Sequence, residues 1–439
     1  MAADSTLIRA GQFAQVVRQG AIILVALALP RLGLGRDIIG EWEGLLYVGY
    51  ILGFGWLSGL LQAYLVTVRT TLDATVYSRR VLTSIALTSV ALLGVAAGLH
   101  EWLFRLLRLG TPPEGWYWFF VFLATQWPSL FFEQLLQLRG KPFWLAGFGV
   151  FSGLGYVLAI LLPLYFGGTL SDSLAWLAAF AGGKGLLIVG WLLADQIRDR
   201  RALPQVPKNG KNKDRLRDLW TTAGPLILYA TVGGLVTAFD PWFVNYWYGD
   251  DESIFALYRY GARDIPFVTA VTSGMIVVIL PRLTESVGSG LAQLKASSRR
   301  LFHWIFAGTL LLMVTAPFWW APVFTELFAE GLPLFRLYLF ITVSRLLFPM
   351  PVIVALGYTR GLWLFSFSEL VMNLVLSWLL VPSLGLWGIV LATVVSDIIN
   401  KGILMYFLYR KARILPGQYM DLRVFLGWCL VLFVAYWVG

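Results

Sequence analysis

DQIRDRRALPQVPKNGKNKDRLRD, residues 195–218, is the one long polar stretch in this sequence. Two prolines, a glycine and charges of both signs make it a linker rather than a packed element. On both sides the chain turns apolar, in runs near the ~20 residues that a membrane-spanning helix needs. Six runs precede it, at 13–32, 43–68, 81–104, 116–138, 143–167 and 172–194. Seven follow, at 221–248, 254–280, 301–323, 333–357, 361–381, 385–409 and 422–438. The expected fold is therefore all-α, a polytopic membrane protein of about 13 transmembrane helices. An N-terminal six-helix lobe (1–195) is joined by a cytoplasmic linker (196–219) to a C-terminal six-helix lobe (220–412), and one additional transmembrane helix (413–439) follows.

Composition agrees. Of 439 residues 58% are hydrophobic and 13% charged, against roughly 25% charged in soluble domains. A transmembrane β-barrel would alternate apolar and polar residues over ~10-residue segments, and no such alternation occurs. The net charge of +10 raises nucleic acid as a partner, but its placement argues for topology instead. With the N-terminus inside, 24 of the 34 Lys and Arg fall in or beside inside loops. Only Arg31, Arg36, Arg105, Arg108 and Arg336 fall outside. Cytoplasmic loops retain basic residues, so the N-terminus is expected in the cytoplasm and no nucleic-acid partner is expected. The first apolar run lacks the order of a cleavable signal peptide and is expected to stay as a helix. Cys429 is the sole cysteine, and His100 and His303 lie far apart. A disulfide within the chain and a Cys-based metal site are excluded, and no cofactor or metal is expected.

The two lobes read as repeats. Ser78-Arg79-Arg80 recurs as Ser298-Arg299-Arg300, Pro163 as Pro382, and Lys184-Gly185-Leu186-Leu187-Ile188 as Lys401-Gly402-Ile403-Leu404-Met405. The offsets are 220, 219 and 217 residues. Six spans separate the copies, so the repeats are parallel, around a central cleft suited to alternating access. The last span falls outside the repeat.

A charge at the centre of a membrane helix costs roughly 2.5–3.5 kcal/mol on insertion scales, so each needs a partner, water or a task. Arg259 and Arg263 are four apart and, on one continuous helix, share a face. Asp240, at similar depth on the preceding span, is the expected partner of Arg263, with Asp264 as the alternative. Arg345 has no acid one turn away, which leaves an anion site or a partner on another helix. Lys401 follows Asp397 in the favourable i, i+4 order, with Glu369 at similar depth, so a structural role leads there. Lys184 sits among glycines with no acid in its own helix; close packing with snorkelling and ligand contact stand level. Arg18 reads as a headgroup anchor, with cleft-facing as the alternative. Glu133 reads as interfacial, beside Arg139 and Lys141. Pro241 and Pro266 are expected to break their helices near the Asp240–Arg263 level, where freed carbonyls can line a cavity.

AFDPWFVNYWYG (238–249), IFALYRYGARDIPF (254–267) and ILPRLTE (279–285) resemble the O-antigen type of oligosaccharide flippase, within the multidrug/oligosaccharidyl-lipid/polysaccharide exporter superfamily. So do ALGYTRG (355–361), NLVLSWLLVPSLGLWGIVLATVVSDII (373–399) and, in the first half, LGLGRDIIGEWEGLLYVGY (32–50). Asp240 stands where that family commonly has an Asp. The resemblance implies two six-helix lobes around a cationic cleft. It also implies translocation of a polyprenyl-diphosphate-linked oligosaccharide from the cytoplasmic to the outer leaflet of the inner (plasma) membrane, for cell-surface polysaccharide biosynthesis. Partners would be the lipid-linked oligosaccharide, membrane lipids, and a polysaccharide polymerase or glycosyltransferases. Arginine grips diphosphate in a bidentate way, and the expected substrate-binding set is Arg259, Arg263, Arg345, Lys184 and Arg18. Asp240, Asp397, Lys401 and Glu369 form the expected structural or coupling charges. A thirteenth span departs from the twelve or fourteen usual there. The nearest rival is a cation-coupled multidrug antiporter of the same architecture, which calls for an acidic cleft. A membrane-embedded glycosyltransferase or polymerase needs catalytic carboxylates or a metal in substantial loops; the outer loops are mostly short, and an enzyme is not expected.

Overall fold

The computed structural model describes residues 2–68, 74–202, 214–249, 251–263, 266–358 and 361–438. Residues 203–213, most of the expected linker, and Asp264 lie outside the described residues. The described chain is helical, without strands. The first helices are α1 (Ala2–Ala28), α2 (Arg36–Thr67), α3 (Ala74–Gly98), α4 (His100–Leu106), α5 (Trp116–Leu138), α6 (Pro142–Tyr165), α7 (Leu170–Ala202) and α8 (Asp214–Tyr248). There follow α9 (Glu252–Gly261), α10 (Pro266–Glu285), α11 (Val287–Phe324), α12 (Gly331–Tyr338), α13 (Ile341–Arg345), α14 (Pro349–Ala355), α15 (Leu362–Leu384), α16 (Leu386–Ala412), α17 (Pro416–Tyr419) and α18 (Leu422–Val438).

Among the described residues ten helical stretches are long and apolar enough to cross a bilayer, which makes the chain a multi-pass membrane protein. Three of the thirteen expected runs fall outside that set, each for a local reason. α5 carries Gln126, Glu133, Gln134 and Gln137. The run at 254–280 divides into α9 and α10, and α18 has 17 residues, about 25 Å at ~1.5 Å per residue.

Packing divides the chain into two units, residues 1–234 with 249–253, and 235–248 with 254–439. The division falls inside α8 rather than in the linker. In the first unit, Gly59 of α2 lies against the Ile227 backbone of α8, and Gly55 against Thr231. The first half of α8 is thereby held to α2, because a Cβ at either glycine would overlap those atoms. α1 packs along α6 by the same device: a Cβ at Gly149 would lie 2.5 Å from the Ala14 Cβ, and one at Gly153 2.8 Å from Val17. Lipid supplies no hydrophobic drive between helices, so close approach through small residues is what holds such a pair. α5 packs deep in this unit, with Phe119, Phe120, Phe131, Phe132, Leu135 and Leu136 all buried.

In the second unit α18 runs parallel to α11. Lys295 Nζ donates to the Gly417 carbonyl at 2.6 Å, Arg299 lies 3.7 Å from Asp421, and Phe302 and Phe306 meet Phe425. At the far end Arg336 donates to the carbonyls of Tyr436 (3.0 Å) and Ala435 (3.4 Å), meeting acceptors that a helix C-terminus leaves open.

Three helix expectations change. Pro241 does not break α8, which continues to Tyr248. The proline removes one backbone donor, yet Phe243 and Val244 beyond it are fully buried, so packing carries the helix through. The run at 254–280 does break: α9 stops at Gly261, pressed against Leu334 and the Gly331 carbonyl, and Pro266 opens α10. The run at 333–357 is three short helices, with Pro349 starting the last. Residues before proline are pushed out of helical geometry.

Candidate functional site

The first unit holds a partly open pocket of about 220 Å³ among α1, α2, α5, α6 and α7. Its polar lining is Arg18, Gln126, Glu133, Ser152 and Lys184. Arg18 Nη1 donates to Glu133 Oε2 at 2.7 Å, with 29% and 14% of the two side chains exposed. Lys184 is 1% exposed, and its Nζ donates to Gln126 Oε1 at 2.5 Å. That ammonium also lies 5.9 and 5.7 Å from the ring centroids of Phe122 and Phe180, within cation–π range. The Ser152 hydroxyl is buried and has no hydrogen-bond partner among the described residues. Tyr50, Phe119 and Tyr156 complete the aromatic wall. The glycines of α6 bring α1 close enough for Arg18 to reach across to α5.

Arg18 and Glu133, expected apart as a headgroup anchor and an interfacial acid, are instead ion-pair partners. Each satisfies the other inside the unit, from helices 115 residues apart. Lys184 takes neither of its expected solutions unmixed: it packs closely, yet its amine faces a pocket rather than snorkelling to an interface. Gln126 and Ser152 were absent from the expected set. Neutral polar side chains carry no cost large enough to mark them in a sequence.

The second unit holds the remaining expected residues, and four of them, Asp240, Glu369, Asp397 and Lys401, lie along one seam of α8, α15 and α16. Glu369, Asn373 and Ser377 are spaced by four on α15, and Thr393, Asp397 and Lys401 by four on α16. Asp240 of α8 accepts from Asn373 Nδ2 and Thr393 Oγ1, both at 2.6 Å, and Ser377 donates to Asn373 at 3.3 Å. About one turn along α16, Asp397 accepts from Ser344 Oγ at 2.6 Å and lies 3.5 Å from Lys401. Asn400 donates to Glu369 at 2.5 Å. The in-helix Asp397–Lys401 pair is as its spacing indicates, and Glu369 stands within electrostatic range of Asp397, Lys401 and Arg345.

Arg259 and Arg263 do not share a helical face. Arg259 lies in the last turn of α9, while Arg263 falls beyond its end, because the helix stops at Gly261. The Arg263 guanidinium carbon sits 5.6 Å from the Tyr260 ring centroid. Arg345 ends α13 and is exposed. Among the described residues no group of three or more His, Cys, Asp or Glu is placed to hold a metal ion.

Comparison with solved structures places this helical arrangement in a known fold. The lipid II flippase MurJ, in an inward closed conformation, matches with a TM-score of 0.65 at 14% identity, over 99% of this chain and 92% of that one. A mutant of the Vibrio cholerae MATE transporter VcmN matches at 0.59 and 15% identity, over 94% and 97%. An outward-facing multidrug resistance MATE transporter of the MOP superfamily matches at 0.61 and 16%, over 94% and 95%. At these identities the likeness is one of fold. No protein-family model and no curated protein sequence matches the chain.

Proposed function

We propose that the protein is a flippase that carries a polyprenyl-diphosphate-linked oligosaccharide from the cytoplasmic to the outer leaflet by alternating access. The observation that carries this reading is the charge of the pocket in the first unit. Arg18 and Lys184 face a single carboxylate, Glu133. A cationic drug would meet net repulsion there; an anionic part of a substrate would supply the missing negative charge. The fold is compatible, since MurJ is a lipid II flippase. In this reading two parallel six-helix lobes, 1–195 and 220–412, are joined by a cytoplasmic linker. The N-terminus is cytoplasmic, the membrane is the inner one, and Arg259, Arg263 and Arg345 are further cations along the substrate's path.

A second reading, a cation-coupled multidrug antiporter, is favoured by the seam in the second unit. Asp240, Glu369 and Asp397 are three carboxylates at membrane depth, with Asp240 held by an amide and a hydroxyl. In the flippase reading the same seam serves ion coupling. Purified protein in liposomes separates the two. A lipid-linked oligosaccharide with an acidic glycan should become accessible to an external glycosidase, while an ethidium gradient should stay unchanged. Ethidium efflux without glycan translocation would establish the antiporter.

A further inference from the structure

The pocket of the first unit is too small and too weakly charged for the whole polar end of such a substrate, which narrows what it can take. The pocket measures about 220 Å³. That lies below the ~300 Å³ at which pockets for drug-sized ligands begin. That volume suits one sugar ring better than an oligosaccharide.

Charge narrows it further. Arg18 and Lys184 against Glu133 leave one positive charge in excess. Arg18 is already engaged with Glu133 at 2.7 Å, so the excess resides on Lys184, which is 1% exposed and bonded to a neutral amide. A buried charge is stabilised by one counter-charge with hydrogen bonds, and overcompensation merely reverses the cost. A monoanion balances the pocket, whereas a diphosphate diester would leave a negative charge unmatched. The buried Ser152 hydroxyl is a donor without a partner among the described residues. With Gln126 and the rings of Phe122, Tyr156 and Phe180, it gives the pocket both apolar faces and hydroxyl-directed hydrogen bonding.

We propose that this pocket binds a single acidic sugar, a hexuronic acid unit of the glycan, with its carboxylate on Lys184 and a ring hydroxyl on Ser152. The assignment rests on the oligosaccharide-flippase reading and leaves the diphosphate to cations elsewhere in the chain. Glu133 then sets the charge of the acceptable ligand, because it cancels Arg18 and keeps the site at one net positive charge.

The test is saturation-transfer NMR on the full chain in nanodiscs, with D-glucuronate, D-glucose and inorganic pyrophosphate as probes. Glucuronate should bind saturably, glucose about tenfold more weakly, and pyrophosphate should not displace glucuronate. Lys184→Gln should weaken glucuronate by about tenfold or more. Glu133→Gln adds one net positive charge, so it should tighten glucuronate and let pyrophosphate compete; this gain decides the matter even if Lys184→Gln fails to fold. Equal binding of glucose and glucuronate, displacement by pyrophosphate in the unaltered protein, or no gain in Glu133→Gln would each overturn the proposal. Translocation of a lipid-linked neutral glycan with no glucuronate binding would remove the pocket assignment and keep the flippase. Glucuronate binding without translocation of any lipid-linked glycan would do the reverse.

Discussion

Replacing Arg18 by Ala takes from Glu133 the guanidinium that lies 2.7 Å away. The carboxylate stays where it is, mostly enclosed by α5 and its neighbours. Breaking a buried pair costs ~3–5 kcal/mol, and about 3 is the better figure here because Arg18 keeps partial exposure. Folded protein recovered from membranes should fall accordingly. The double replacement Arg18→Ala with Glu133→Gln removes both charges and should restore abundance, measured by fluorescence-detected size exclusion. Abundance that stays low in the double variant would mean that Arg18 stabilises the unit by packing, through its aliphatic stem, rather than by charge. Arg18 and Glu133 also mark how far residue-level reading reaches. Membrane depth singles out both, since each costs energy without a partner. Their pairing is invisible, because the helices that bear them are adjacent only after folding, and the nearer Arg139 and Lys141 offer Glu133 a plausible alternative.

Helix pairs follow a different logic, in which small residues and prolines decide. Gly153 of α6 accepts Val17 of α1 at a separation that leaves no room for a side chain. Gly153→Leu should force α1 outward, lower the melting temperature, and raise the exposure of Arg18 to solvent-borne probes. An unchanged melting temperature would mean that α1 is not held along α6. At the C-terminal end of α18, Arg336→Ala should leave its last carbonyls without their donor, at about 1–2 kcal/mol per part-buried acceptor. Hydrogen exchange should then quicken over Trp428–Val438 while α11 stays protected; protection unchanged in α18 would show that Arg336 does not cap it. The charged members of the seam, Glu369 on α15 and the i, i+4 pair Asp397–Lys401 on α16, are legible beforehand, whereas the neutral Asn373, Ser377 and Thr393 that complete it are not. The separation of Arg259 from Arg263 is not legible from spacing, which presumes a continuous helix. Pro266 warns of a break without saying which residue ends the helix, and Gly261 does so through contact with α12. The break before α14 is signalled by Pro349, the break between α12 and α13 by no proline, and hydropathy reads straight across both.

The whole molecule tests the topology on which the direction of transport depends. α18 runs parallel to α11, so whichever side receives Val287 also begins α18, and the C-terminus emerges on the other. In a Cys429→Ser background, a cysteine at Gly210 and one appended after Gly439 should react with an impermeant maleimide from opposite sides of the membrane. Reaction from one side would remove α18 from the set of spanning helices. At this scale composition and charge placement were sufficient to read a multi-pass helical protein, because lipid solvation constrains every apolar run alike. The pocket was not legible, because it is built from five helices and owes two of its polar groups, Gln126 and Ser152, to residues that are unremarkable anywhere else.

The central claim is that a buried cation in the first unit carries an anionic, lipid-linked sugar, and Lys184 tests it most directly. The measurement is the rate of glycosidase-accessible translocation in liposomes of a lipid-linked glycan bearing a uronic acid, at matched protein content, for the unaltered chain, Lys184→Gln and Lys184→Arg. The account predicts a loss of roughly tenfold or more for Lys184→Gln, equivalent to at least ~1.4 kcal/mol. It predicts partial recovery for Lys184→Arg, which keeps the charge but not the compact ammonium geometry. Lys184→Gln translocating at the unaltered rate would contradict it.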